Sequence, residues 1–191
     1  MVKLINHGEH LTSEGLSKII SIRASINWGL YEVLKNSFPN IIPVERPKVE
    51  VNKIYDPNWL VGFVEGEGCF DIKIFKSSAS KSGEAVQLRF RITQHYRDTE
   101  LMNSFIKYLN CGRVEVRTGE SVDFVVTKFA DLNENIIPFF QKYPLQGVKA
   151  LDYADFCKVA ELMKNKAHLT EEGLGQILKI KLGVNNNRII S

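Results

Sequence analysis

Residues 59–74, WLVGFVEGEGCFDIKI, change their hydrophobic period halfway along. Trp59, Leu60, Val61, Phe63 and Val64 crowd together as in a buried helix, with Asp56 or Asn58 as its cap and Pro57 suited to its first turn. From Cys69 the pattern alternates: Phe70, Ile72 and Ile74 interleave with Asp71, Lys73 and Phe75, as in a strand. A second alternating run, residues 85–94, follows the polar SSASKSGE. A helix is predicted from Asp98 through DTELMNSFIKYLN, stopped by Cys111 and Gly112. RVEVR and VDFVVTKF read as two shorter strands around a turn at Gly119. Helical patterns return in DLNENIIPFFQKY, ALDYADFCKVAELMKNK and TEEGLGQILKIKL. The order α-β-β-α-β-β-α, with a helical tail, predicts an α+β domain whose antiparallel four-stranded sheet carries helices on one face.

The segment before this domain repeats its end. Residues 4–27 align without gaps on 162–185, with identities at Leu4/Leu162, His10/His168, Leu11/Leu169, Thr12/Thr170, Glu14/Glu172, Gly15/Gly173, Leu16/Leu174, Ile19/Ile177, Ile22/Ile180 and Asn27/Asn185. Each copy predicts a short helix capped by Thr, with Glu in its first turn and apolar residues at helical spacing. The first copy therefore reads as the tail of an upstream unit whose body is absent from this chain. SFPNIIPVERPKVEV follows, and Pro39, Pro43 and Pro47 favour an extended strap over a continuous helix. The expected division is a helical tail plus linker over 1–53 and the main domain over 54–191.

The strands split consistently by face. Val86, Leu88, Phe90 and Ile92 alternate with Gln87, Arg89, Arg91 and Thr93, and Val114 and Val116 alternate with Arg113, Glu115 and Arg117. A solvated sheet face accounts for any one of these strands. Recurrence over three, with arginine and glutamine prominent, favours a nucleic-acid surface, because those side chains suit base edges and phosphates.

Composition adds limits. With 44% hydrophobic and 10% aromatic residues the chain of 191 residues can build a core. No apolar run approaches a membrane span, and the first residues lack the pattern of a secretory signal. The 3 cysteines are scattered, which fits buried thiols better than a disulfide framework, and the 4 histidines are spread too widely for a structural zinc site. The net charge of +3 says little by itself.

Chemistry concentrates at the seam between helix and strand. Gly62 and Gly66, four apart, share one helix face suited to close approach of another helix. Glu65 and Glu67 lie where that helix ends. A carboxylate there is either a solvated helix end or a ligand for a hard cation with nearby backbone carbonyls. A phosphate-cradling loop fits less well, since such loops run from strand to helix and use amide donors.

LVGFVEGEG, residues 60–68, resembles the signature of the LAGLIDADG homing endonucleases, with Glu at both acidic positions. The element order, the basic sheet face, FRITQH and the run from VDFVVTKF to KALDYADFCKVAELM are similar as well. The likeness covers residues 54–191 and is closest to the C-terminal half of single-chain, two-motif members. It implies a saddle-like sheet and two signature helices packed through Leu60, Gly62, Phe63 and Gly66. It implies a Mg²⁺ or other divalent cation on Glu67 and the Gly66 carbonyl, with Gln94 and Lys149 at the periphery of the catalytic centre. Lys73, Gln87, Arg89, Arg91, Arg113 and Arg117 are then the expected readers of double-stranded DNA. The implied activity is a double-strand cut made when a second LAGLIDADG domain pairs with this one, either a second copy or a separate N-terminal half. Alternatives are an intron maturase that binds RNA without cutting, or a DNA-binding half with little activity. The family's habit of residing in organellar introns implies a mitochondrial location, and no membrane partner is expected.

Overall fold

Asp56 accepts the amide hydrogen of Asn58 at 2.8 Å, and Pro57 opens the helix that follows. Such a cap satisfies one orphan donor and stabilises a helix start by about 1 kcal/mol. The computed structural model describes residues 1–27, 29–46, 54, 56–78, 80 and 83–185. They fall in two compact units, Met1–Glu50 and Val51–Ser191.

The first unit holds α1 (Val2–Asn6), a 3-10 turn at Glu9–Leu11, α2 (Ser13–Ala24) and α3 (Glu32–Ser37). Residues 41–46 have no regular structure and run beside α2. Val44 donates its N–H to the Ser21 carbonyl at 3.3 Å, Ser25 Oγ donates to the Val44 carbonyl at 2.5 Å, and Arg46 Nε donates to the Ser25 carbonyl at 2.6 Å. The expected strap is thus seen in part. Its continuation through residues 47–53 lies outside the described residues.

In the second unit, α4 (Pro57–Glu67) leads directly into β1 (Gly68–Lys76). Then come β2 (Glu84–His95), α5 (Thr99–Leu109), β3 (Arg113–Val116) and β4 (Ser121–Val126). α6 (Phe129–Asp131), a π-turn at Leu132–Ile136, α7 (Ile137–Lys142), α8 (Lys149–Lys164) and α9 (Glu171–Lys181) complete it. The sheet is antiparallel in the order β1-β2-β4-β3, so the expected αββαββα arrangement is present. Phe70, Phe90, Phe105, Phe124, Phe140 and Phe156 are fully buried between sheet and helices. Phe70 meets Phe140 and Phe156 edge-on at 5.5 and 5.4 Å, a geometry that favours aromatic pairs. Among the described residues, no helix is long and apolar enough to cross a membrane.

The sequence repeat is also a repeat of geometry. Gly8 and Lys166 both take left-handed conformations before the 3-10 turns at Glu9–Leu11 and Ala167–Leu169. Thr12 and Thr170 each accept an amide hydrogen, from Gly15 and Gly173 respectively, at 3.1 Å. Their hydroxyls donate to the carbonyls of Glu9 and Ala167 at 2.9 and 2.8 Å. A Cβ on Gly15 would lie 1.9 Å from the Glu9 oxygen, and one on Gly173 2.0 Å from that of Ala167. No side chain fits there, which explains why both copies keep glycine three residues after the cap. Asn27 and Asn185 close both copies with positive φ, 50° and 59°.

Candidate functional site

The two acids at the seam differ in their surroundings. Glu65 is half-buried, and its Oε1 accepts the amide hydrogens of Gln146 and Gly147 at 2.6 and 2.8 Å. Two charge-assisted bonds to one oxygen make Glu65 a clamp on the loop that enters α8. Glu67 is exposed as the last residue of α4 and makes no hydrogen bond or ion pair among the described residues. Gly66, also exposed, places its carbonyl in the last turn, where helix carbonyls lack intrahelical partners and carry partial negative charge.

Lys149 is the first residue of α8, and its ammonium donates to the Gly68 carbonyl, one residue beyond Glu67. Gly68 pairs with Ile92, so the antiparallel register carries Gln94 to the same end of the sheet as Glu67. Gln94 pairs with Val122 and shares the residue parity of Phe90 and Ile92, which faces the helices. Glu67, Gly66, Lys149 and Gln94 therefore collect at one end of the domain.

A carboxylate and a helix-terminal carbonyl are hard oxygen donors of the kind a divalent cation takes. The free carboxylate of Glu67 fits that role, whereas Glu65 is committed to backbone amides. Among the described residues no cluster of three or more His, Cys, Asp and Glu could enclose a metal.

The open face of α4 is narrower than the pattern of residues suggests. Among the described residues, Gly62 and Gly66 have no atom within 4 Å of an added Cβ, which leaves room there for close approach. Trp59, three residues before Gly62, is 46% exposed at its rim and stacks on Phe63 at 5.2 Å. Leu60 is a correction: it is fully buried in this domain's own core and does not reach the open face. Phe63 is half-buried and leans inward, 5.8 Å from Phe105.

On the far face of the sheet the expected basic residues do lie together, but most are already paired with acids. Arg89 Nη2 meets Asp71 Oδ2 at 2.6 Å across β1 and β2, and Arg113 Nη2 meets Glu115 Oε1 at 2.5 Å. Arg91 Nη1 and Arg117 Nε both face Asp123 Oδ2, at 3.7 and 3.3 Å. Lys73 and Gln87 are register partners whose side chains make no hydrogen bond or ion pair among the described residues. Asp123 escaped the alternation argument because β4 is buried on both faces; Val125, the register partner of both Arg91 and Arg113, is 2% exposed. The signal available was a lone acid inside VDFVV, since a carboxylate within an apolar strand must be paired if buried.

Comparison with known proteins agrees with this geometry. The profile of the LAGLIDADG endonuclease family matches residues 60–160. "Probable intron-encoded endonuclease 3" of Neurospora crassa is 44% identical over 178 residues, which is 92% of this chain and 33% of that protein. "Probable intron-encoded endonuclease 2" of the same fungus is 42% identical over 192 residues, 95% of this chain and 41% of that protein. The crystal structure of the I-SmaMI LAGLIDADG homing endonuclease bound to cleaved DNA superposes with a TM-score of 0.94 at 47% identity, covering 98% of this chain and 63% of that one. That of I-LtrWI bound to target DNA gives 0.94 at 51% identity, with the same shares. The chain thus spans less than half of those curated relatives and under two thirds of those solved chains. With the signature helix, the sheet and the family match in agreement, the chain belongs to the LAGLIDADG endonuclease family.

Proposed function

We propose that this chain is the C-terminal LAGLIDADG half of a site-specific DNA endonuclease, which makes a double-strand cut when a second LAGLIDADG domain packs on the Gly62/Gly66 face. The observation that carries the reading is Glu67: a free carboxylate at the exposed end of α4, beside an open glycine face and next to the carbonyl that holds Lys149. The relatives bound to DNA, I-LtrWI on its target and I-SmaMI both on cleaved DNA and on an uncleaved target in the presence of calcium ions, support the same substrate and a divalent cation here.

Glu67 and the Gly66 carbonyl would hold a divalent cation, together with ligands from a second domain. Such a cation would supply charge neutralisation at the scissile phosphate and a more acidic attacking water. Gln94 orients that water through its amide. The Lys149 ammonium keeps two N–H donors beyond the one given to Gly68, and it offsets negative charge developing on the phosphate. Lys73, Gln87, Arg89, Arg91, Arg113 and Arg117 read the DNA from the far face of the sheet.

The repeat supports the need for a second domain. In α9, Leu174 is 8% exposed and Ile177 is fully buried against the core, whereas Leu16, the counterpart of Leu174 in α2, is 39% exposed. Residues 1–53 then serve as the end of a first LAGLIDADG domain and a linker, and residues 54–191 as the second domain. Relatives named for introns support an organellar, mitochondrial origin.

The test is cleavage selection from a plasmid library carrying a randomised site, with Mg²⁺ or with EDTA, using the chain paired with a separately produced first half. Cuts that need Mg²⁺ and vanish in Glu67→Gln are expected. Equal cleavage by Glu67→Gln overturns the assignment.

A further inference from the structure

Asp123 and Asp152 are the buried charged residues among those described, and Asp123 alone of the two lies on the sheet. Its side chain is 4% exposed, at the centre of a three-strand junction. Thr93 Oγ1 on β2 donates to its Oδ1 at 2.7 Å. Arg91 on β2 and Arg117, just past β3, face its Oδ2 at 3.7 and 3.3 Å. The acid is too buried to reach a ligand itself, while the side chain of Arg117 is 48% exposed and that of Arg91 21%. Burying a carboxylate is unfavourable unless it is paired and hydrogen-bonded. Here the pairing spends that carboxylate on aiming two arginines from strands on either side of β4.

We propose that Asp123 is a specificity-determining positioning residue that holds Arg91 and Arg117 as a preset fork for guanine in the major groove. This rests on the DNA-binding reading given above. Arginine presents parallel N–H donors that match guanine O6 and N7, but only if its plane is fixed. Arg117 meets Asp123 through Nε, which leaves its terminal nitrogens for a base. The negative charge beneath the fork also weakens attraction to a phosphate in the same place, so the acid lowers indiscriminate binding while raising selectivity. Lys73, without such a partner among the described residues, has the opposite character and suits a phosphate.

The experiment is selection of bound duplexes from a randomised DNA pool by the full chain, repeated with Asp123→Asn, which keeps shape and the Thr93 bond but removes the charge. The wild-type chain should enrich guanine at one or two adjacent positions. Asp123→Asn should lose about tenfold of that preference, in line with the worth of a bidentate arginine–guanine pair, with non-specific affinity equal or higher. Arg117→Lys, which retains the charge without the fork, should lose preference at the same positions, and it provides the answer if Asp123→Asn unfolds. A wild-type chain that enriches no sequence overturns the DNA reading and this proposal with it. Wild-type enrichment with unchanged preference in a folded Asp123→Asn, or in Arg117→Lys, overturns the role of Asp123 alone.

Discussion

Glu65 Oε1 accepts the amide hydrogen of Gly147 at 2.8 Å, across 82 residues of sequence. The same oxygen takes the amide of Gln146, so one side chain of the signature helix fixes the approach to Lys149. Gly147 is part of the fit: a Cβ there would lie 2.7 Å from Glu65 Oε2. Glu65→Ala should lower stability by about 1–2 kcal/mol, the scale for stranding hydrogen-bonded polar groups. Glu65→Gln, which keeps an acceptor, should lose about half as much. Urea unfolding measures both. Single-turnover cleavage by the paired enzyme should slow in step with the clamp, without a matching loss of DNA affinity.

Gly62 offers the opposite behaviour. Among the described residues nothing lies within 4 Å of its missing side chain, so Gly62→Ala should raise helix stability by about 1 kcal/mol. Gly62→Leu should leave the fold intact and block close packing of a second helix. Thermal unfolding and light scattering on the same samples separate these effects. A bulky residue tolerated in both would remove this face as the contact.

The repeated caps predict a matched pair of defects. Thr12→Ala and Thr170→Ala should each cost about 1 kcal/mol, the usual worth of a Thr N-cap. Gly173→Ala should cost more, about 2–3 kcal/mol, because its Cβ meets backbone and the 3-10 turn must shift. Thermal unfolding of the single variants gives the order, and a Gly173→Ala that melts like the wild type contradicts it.

Alkaline pH should destabilise the second unit through Cys111. Burial, with a smaller push from the Asp131 carboxylate, raises this thiol from its ordinary 9.0 to about 11. Between those values the unfolded chain has released the proton and the folded chain has not, so stability falls as pH rises through that window. The phenol of half-buried Tyr153 is raised as well, chiefly by desolvation, and adds to the loss above its ordinary 10.0. Urea unfolding from pH 8 to 11 should show a steady decline, with a shallower slope in Cys111→Ala.

The sequence carried the fold because its local signals agree with one another. Asp56 and Pro57 start α4 where the cap chemistry says a helix starts, and the change of period at Gly68 marks the strand to within a residue. The repeat was legible because Thr12 and Thr170, with Gly15 and Gly173, do a job that tolerates no other arrangement. α3 at Glu32–Ser37 was not legible because it has no side-chain cap and buries no residue, and the π-turn at Leu132–Ile136 lies inside a run that reads simply as helix. The candidate site divides the same way. Gly62 and Gly66 could be named from spacing within one helix, and Glu67 only from the resemblance of LVGFVEGEG to the family signature. The separate duty of Glu65, and the pairing of Arg91 and Arg117 on Asp123, depend on residues brought together from distant parts of the chain. Leu60 was misassigned because a helix this apolar has two candidate faces, and only packing decides which one is buried.

Cleavage of both strands by this chain is expected to require a second LAGLIDADG domain. Light scattering of the purified chain, run on the fractions assayed for double-strand cleavage, tests it most directly. Cleavage should follow the paired species, whether a self-dimer or a complex with a separate first half, and should be lost in Glu67→Gln. A strictly monomeric chain that cuts both strands at full rate would contradict it.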